Sequence, residues 1–157
     1  MLPRAILLLA LVVVCSATSC FKSIGIAVTP NPTLDADSAA QRTFALAAHV
    51  SEQLGLMPYT DPELKNTFSS CFIRKFTENK SEQSIVLCGK TKDREVHFLL
   101  YQTWATSVTP HTDSVRGALL DSLRTQFGEH SARECKWRYE RDPRQSGCPL
   151  LSATASR

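Results

Sequence analysis

The sequence predicts a two-layer α+β sandwich, with two helices on one face of a mostly antiparallel sheet of four or five strands. Three observations predict it. Residues 38–54 and 112–127 repeat apolar side chains at helical spacing, and each stretch runs into a glycine. Between them, residues 69–104 form three strand-like runs separated by polar turns. After the second helix, residues 134–140 alternate strictly. The chain has 157 residues, enough for one domain with a real core.

The first segment is an address. Arg4 and the amino terminus make a positive region, and Ala5 to Val14 is an unbroken apolar run. As a helix it would rise about 15 Å, half of a bilayer core of about 30 Å, so it reads as a secretory signal and not as a span. Ser16, Ala17, Thr18 and Ser19 are small enough for a signal peptidase, and Cys20 follows directly. Small residues running into cysteine resemble the lipobox of bacterial lipoproteins, although Ala17 stands where that class usually has leucine. The resemblance implies that residues 1–19 are removed, that the Cys20 sulfur takes a diacylglyceryl group, and that the protein partners a membrane through that anchor. Phe21 follows Cys20 where aspartate would favour the inner membrane, so the same resemblance implies the outer membrane, facing the periplasm. Ordinary secretory cleavage at the same bond would instead give a soluble secreted protein. Cys15 follows three valines and is a poor cleavage point.

The six cysteines agree with this. Cys15 leaves with the signal and Cys20 takes the lipid, so Cys71, Cys88, Cys135 and Cys148 remain. An even set in an oxidising compartment is expected to form disulfides.

Residues 20–36 form a lipid-anchored segment or a short strand. Ile24, Ile26 and Val28 alternate with small residues until Pro30 and Pro32 stop the pattern; a slack tether is the alternative. Residues 37–148 form the domain. Its first helix starts with Ser38 as cap and Gln41 three residues on. Ala40, Phe44, Ala47, Ser51 and Leu54 make its buried stripe, and Gly55 ends it. Cys71 to Phe76 is a strand, Glu78 to Ser81 a turn, and Ser84 to Cys88 the return strand. A turn centred on Asn79-Lys80 sets Cys71 opposite Cys88 in a non-hydrogen-bonded pair, with Cα atoms about 4.5 Å apart, which suits a disulfide. Gly89 to Arg94 reads as a second turn, and Glu95 to Trp104 as a third strand. Thr112 or Asp113 caps the second helix, which buries Val115, Leu119, Leu123 and Phe127 and ends at Gly128. In the run 134–140, Cys135, Trp137 and Tyr139 share one face, and Lys136 and Arg138 point to water. The Asp142-Pro143 and Ser146-Gly147 turns let the chain fold back for a Cys135–Cys148 bridge. Residues 149–157 read as a frayed tail. The element order resembles a ferredoxin-like βαββαβ arrangement with one extra strand.

Chemical motifs are absent. The sequence holds no nucleophile elbow, phosphate loop, dinucleotide fingerprint, C-x-x-C or H-E-x-x-H. No catalytic residue, metal ligand set or cofactor is expected. Of the 18 lysines and arginines only Arg4 leaves with the signal, against 15 acids, so the domain is near neutral and no nucleic-acid partner is expected. One feature points to binding. The first and third of these strands carry apolar side chains on both faces, while two helices cover one. The uncovered face either lies under a loop or forms a groove. The candidate binding face is His97, Leu99, Tyr101 and Trp104, with Lys136 and Arg138 of the basic run as a docking rim. The expected function is an exported, lipid-anchored envelope protein that binds a protein or an envelope polymer. A small envelope enzyme using His97, and a structural subunit of an envelope complex, are the alternatives.

Overall fold

The structure, a computed structural model, describes residues 23–29, 35–103, 105 and 107–149. The signal, Cys20, Trp104 and the tail beyond Pro149 lie outside the described residues. The elements are β1 (Ser23–Val28), α1 (Ala36–Gln53), β2 (Met57–Pro58), β3 (Ser70–Glu78), β4 (Ser81–Lys92), β5 (Glu95–Gln102), α2 (Pro110–Phe127) and β6 (Ala132–Cys135). They make an α+β fold around one sheet in the order β2-β3-β4-β5-β1-β6, with every pairing antiparallel. The sheet has six strands, against the four or five expected, because Met57–Pro58 adds a two-residue edge beside Phe72 and Ile73.

Residues 23–28 are a strand, and a central one. β1 lies between β5 and β6, and all but Ser23 are buried. Ile24, Ile26 and Val28 face the helices, and Gly25 and Ala27 face the opposite side.

Two tight hairpins set the register of the middle of the sheet. Asn79 and Lys80 have φ 50° and 64°, and Asp93 and Arg94 have φ 51° and 66°. Positive φ at both central residues is the two-residue type I′ turn, whose twist matches that of the strands. The first turn brings Cys71 opposite Cys88, and the two Cα atoms stand 4.1 Å apart. The second is shorter than the sequence suggests. β4 continues to Lys92, so Gly89 is a strand residue and not part of a turn. Its missing side chain has a use there: a Cβ would sit 2.7 Å from the Phe98 ring and 2.8 Å from that of Phe44.

Both helices start earlier than expected. Asp35 caps α1, and its carboxylate accepts the Ser38 N–H at 2.9 Å. Thr109 caps α2 in a reciprocal capping box with Thr112, and Pro110 fills the first helical position. His111 is therefore a first-turn residue of α2, with its ring 4.7 Å from that of Phe76. Leu119 and Leu123 of α2 and Ala47 and Val50 of α1 pack on Ile26, Ile85, Leu87 and Phe98 of the sheet in one continuous core.

The final strand also differs. β6 covers only Ala132–Cys135 and pairs with β1. Beyond Cys135 the chain turns back on itself, and Arg138 pairs with Gly147. The turn at Asp142-Pro143 supplies a nearer hydrogen-bonding partner than the sheet does. Trp137 is still buried, as the alternation implies, but Tyr139 is 66 % exposed.

Candidate functional site

The face away from the helices is built from the residues the helices cannot reach. Val86, Cys88 and Lys90 of β4, His97, Leu99 and Tyr101 of β5, and Gly25 and Ala27 of β1 lie on it. Two segments partly cover it. One is the 59–69 connection between β2 and β3. The other is residues 136–149, a strap that returns from β6 across β5 and β4.

The strap is fastened at several points. Cys135 and Cys148 stand at disulfide distance, with Cα atoms 5.7 Å apart. Their sulfurs occupy the space above Gly25, where any side chain would collide with both. Lys90 is a buried lysine whose Nζ donates to the carbonyls of Pro143 (2.8 Å) and Arg144 (3.1 Å). Burial, with the neighbouring Lys92 charge, holds its pKa below the usual lysine range. Lys92 Nζ donates to the Gln145 carbonyl. The Trp137 ring packs on Phe68 of the other segment at 5.9 Å and lies 5.8 Å from Lys90 Nζ.

His97 is the innermost fastening. Its side chain is 0 % exposed. Nδ1 accepts the Cys148 backbone N–H at 3.2 Å, so Nδ1 carries no proton and Nε2 carries it. Nε2 then donates to Glu95 Oε2 at 2.9 Å. Burial lowers the His97 pKa, and the Glu95 hydrogen bond opposes this without reversing it. Burial works against a charged Glu95, but hydrogen bonds from His97 and Thr29 and the Arg133 charge outweigh it and hold its pKa below the usual range. The neutral ring and ionised carboxylate form a fixed pair. The strap passes so close that a Cβ on Gly147 would lie 2.6 Å from His97 Nδ1.

Between the strap and the 59–69 segment remains an open groove of ≈ 480 Å³. Leu99 and Tyr101 form its floor, Leu64 and Phe68 one wall, and Trp137 and Tyr139 the other. Thr103 closes the end beside Tyr101. Burial pushes the Tyr101 phenol above its usual pKa, so it remains a neutral group in an apolar lining. The Trp137 indole N–H is buried and meets no acceptor among the described residues.

The expected face is thus split. Leu99 and Tyr101 lie in the groove as expected. His97 does not; it is sealed beneath the strap. Arg138 is exposed, pairs with Glu140 at 3.8 Å, and lines a separate shallow cleft with Lys92 and Gln145. Lys136 is exposed. Trp104 lies outside the described residues. Leu64 and Phe68 were not anticipated; the signal for them is an apolar residue recurring every four positions in an otherwise polar loop. Among the described residues no three His, Cys, Asp or Glu side chains cluster as a metal site would need, and no helix is long and apolar enough to cross a membrane. No protein-family model matches the chain, and no curated protein matches it in sequence.

Proposed function

We propose that this chain is exported, held at the outer membrane by a lipid on Cys20, and acts as a non-catalytic binding module. Its site is the groove over Leu99 and Tyr101, and its partner presents an apolar side chain or an apolar stretch of an envelope polymer. The groove carries the reading: it is open, lined by aromatic and aliphatic groups, and walled by two independently anchored segments. We read β1, α1, β4, β5, α2 and β6 as a ferredoxin-like core, with β2 and β3 added beside β4. A catalytic role for His97 has less support, because both ring nitrogens are engaged within the protein.

The test uses the full-length protein in its own cells, with a photo-crosslinking residue at Tyr139 or, as control, at exposed Thr125 on α2. A discrete adduct from position 139 and none from 125 is expected. Identical adducts from both positions, or none from 139, would reject the groove. Separately, Cys20→Ser is expected to move the protein from the membrane to the soluble fraction, and continued pelleting would reject the anchor.

A further inference from the structure

We infer that residues 74–78, the free stretch of β3, pair edge to edge with the same residues of a second copy of this chain, antiparallel about a two-fold axis at Phe76. β4 pairs with β3 along its whole length. On the other side β2 covers only Phe72 and Ile73. That cover stops because the Leu56 N–H, next to Met57, bonds the Ser51 carbonyl of α1 at 2.8 Å. Among the described residues no other strand or backbone group pairs with the outer side of residues 74–78.

The direction of the backbone groups decides which residues can pair. The Cys71 carbonyl accepts the Tyr59 N–H at 2.8 Å, so Cys71 points away from β4. Ser84, opposite Lys75, gives its carbonyl to the Thr103 N–H at 2.9 Å, so it does not bond Lys75. Odd-numbered residues of β3 therefore aim their N–H and C=O groups outward. Past Ile73 these are Lys75 and Thr77. A second copy must meet them odd to odd, and a closed two-fold contact leaves few registers. Lys75 against Lys75 would oppose like charges, and Thr77 against Thr77 would set Phe76 beside Glu78. Lys75 against Thr77 of the second copy satisfies the outward groups of both residues. It also makes the two Phe76 side chains a non-hydrogen-bonded pair, with Cα atoms about 4.5 Å apart, and sets Arg74 opposite Glu78 at both ends. Phe76 is half-buried and packs on the core, so its open side is what the second copy covers. The backbone and the side-chain charges select the same register independently.

A lysine on an edge strand ordinarily discourages such pairing. Here Glu82 of the same hairpin holds the Lys75 ammonium at 3.2 Å and offsets its charge. The two-fold axis stands perpendicular to the sheet, so the sheet continues from one copy into the next and both grooves open on the same side. The inference goes beyond the proposed function and needs neither a groove ligand nor a lipid on Cys20.

The full-length chain is purified from its own cells in mild detergent, and the copies per particle are counted by native mass spectrometry over a concentration series. The two disulfides, mapped without reduction, report that each variant is folded. Wild type is expected to dimerise. Glu78→Arg and Arg74→Glu each set like charges opposite one another at both ends, and each alone should weaken the dimer by about tenfold or more. Mixed together, the two variants should form a heterodimer of near wild-type strength, because every facing pair is again opposite in charge. Arg74→Glu also loses its bond to the Leu54 carbonyl, so Thr77→Pro serves as a second variant. It removes one outward N–H and no bond to β4, and it should be monomeric. Wild type that stays monomeric at every concentration overturns the inference. So do dimers of undiminished strength in folded Glu78→Arg or Thr77→Pro, or two folded charge variants that fail to recover on mixing. Failure of the anchor appears only in the fractionation of the Cys20→Ser chain, and failure of partner binding only in the Tyr139 adducts, so the three readings fail separately.

Discussion

Mild acid should loosen this protein through His97. The ring is fully buried and accepts the Cys148 N–H on Nδ1, so the folded state requires it neutral. Its pKa lies below the ordinary value of 6.5. A group depressed in the folded state adds stability above its unfolded pKa and loses it as pH falls toward the folded one. For histidine the loss starts near pH 6.5. Between pH 7.5 and 5.5, one histidine that stays neutral when folded can remove at most about 1.4 kcal/mol. With a urea slope of about 1–3 kcal/mol per molar for a small protein, the midpoint should fall by at most about 0.5 to 1.4 molar. The assay is urea unfolding at both pH values for wild type and His97→Gln. The variant should be less stable at pH 7.5, having lost a fitted hydrogen-bond pair, but should lack the histidine component of the pH dependence. Glu95 does not confuse the window, because its own depressed pKa places its loss below about pH 4.5. If wild type and variant lose equal stability on acidification, or if wild type gains, His97 is not held neutral and its bond to Cys148 is misassigned.

Gly147→Ala puts a methyl group within 2.6 Å of His97 Nδ1; a cost of about 1–3 kcal/mol and faster tryptic cleavage at Arg138, Arg141 and Arg144 are expected, and unchanged cleavage would show that the strap does not press on the ring. Replacing Cys71 and Cys88 together by serine should cost roughly 3 kcal/mol by calorimetry, and a free Cys71 thiol in the unreduced native protein would refute the hairpin register. Lys90→Met leaves the Pro143 and Arg144 carbonyls without their donor at a cost of about 1–3 kcal/mol; amide exchange should quicken at Arg138 and Gly147, and protection equal to wild type would mean the lysine is not an anchor.

The parts of the fold legible in the sequence are those fixed by neighbours in the chain. The Asn79-Lys80 turn sets the β3–β4 register, and with it the Cys71–Cys88 pair, without reference to anything distant. The helix stripes were readable for the same reason. The caps were misplaced consistently. The sequence offers Ser38, and Thr112 or Asp113, as caps, yet Ser38 and Thr112 are each the third helical residue, with Asp35 and Thr109 as the caps. A capping box pairs two short polar residues three apart, and either can look like its start. β2 has no pattern of its own, since two residues show no period; its pairing depends on where α1 delivers the chain. The site divides along the same line. Leu99 and Tyr101 follow from strand alternation. The burial of His97 depends on the strap, and the strap depends on Cys148 meeting Cys135 above a glycine more than a hundred residues earlier in the chain.

The two faces of the sheet therefore differ in how they come to exist. The helix side is assembled by burial alone and is complete as soon as the chain condenses. The strap side needs a covalent bond between Cys135 and Cys148, and one groove wall, Trp137 and Tyr139, lies inside the loop that bond closes. A molecule made where thiols stay reduced would carry the helix-side scaffold and a strap held by the Lys90, Lys92 and His97 hydrogen bonds alone. The order of the strap side is thereby tied to the redox state in which the chain matures as well as to its sequence.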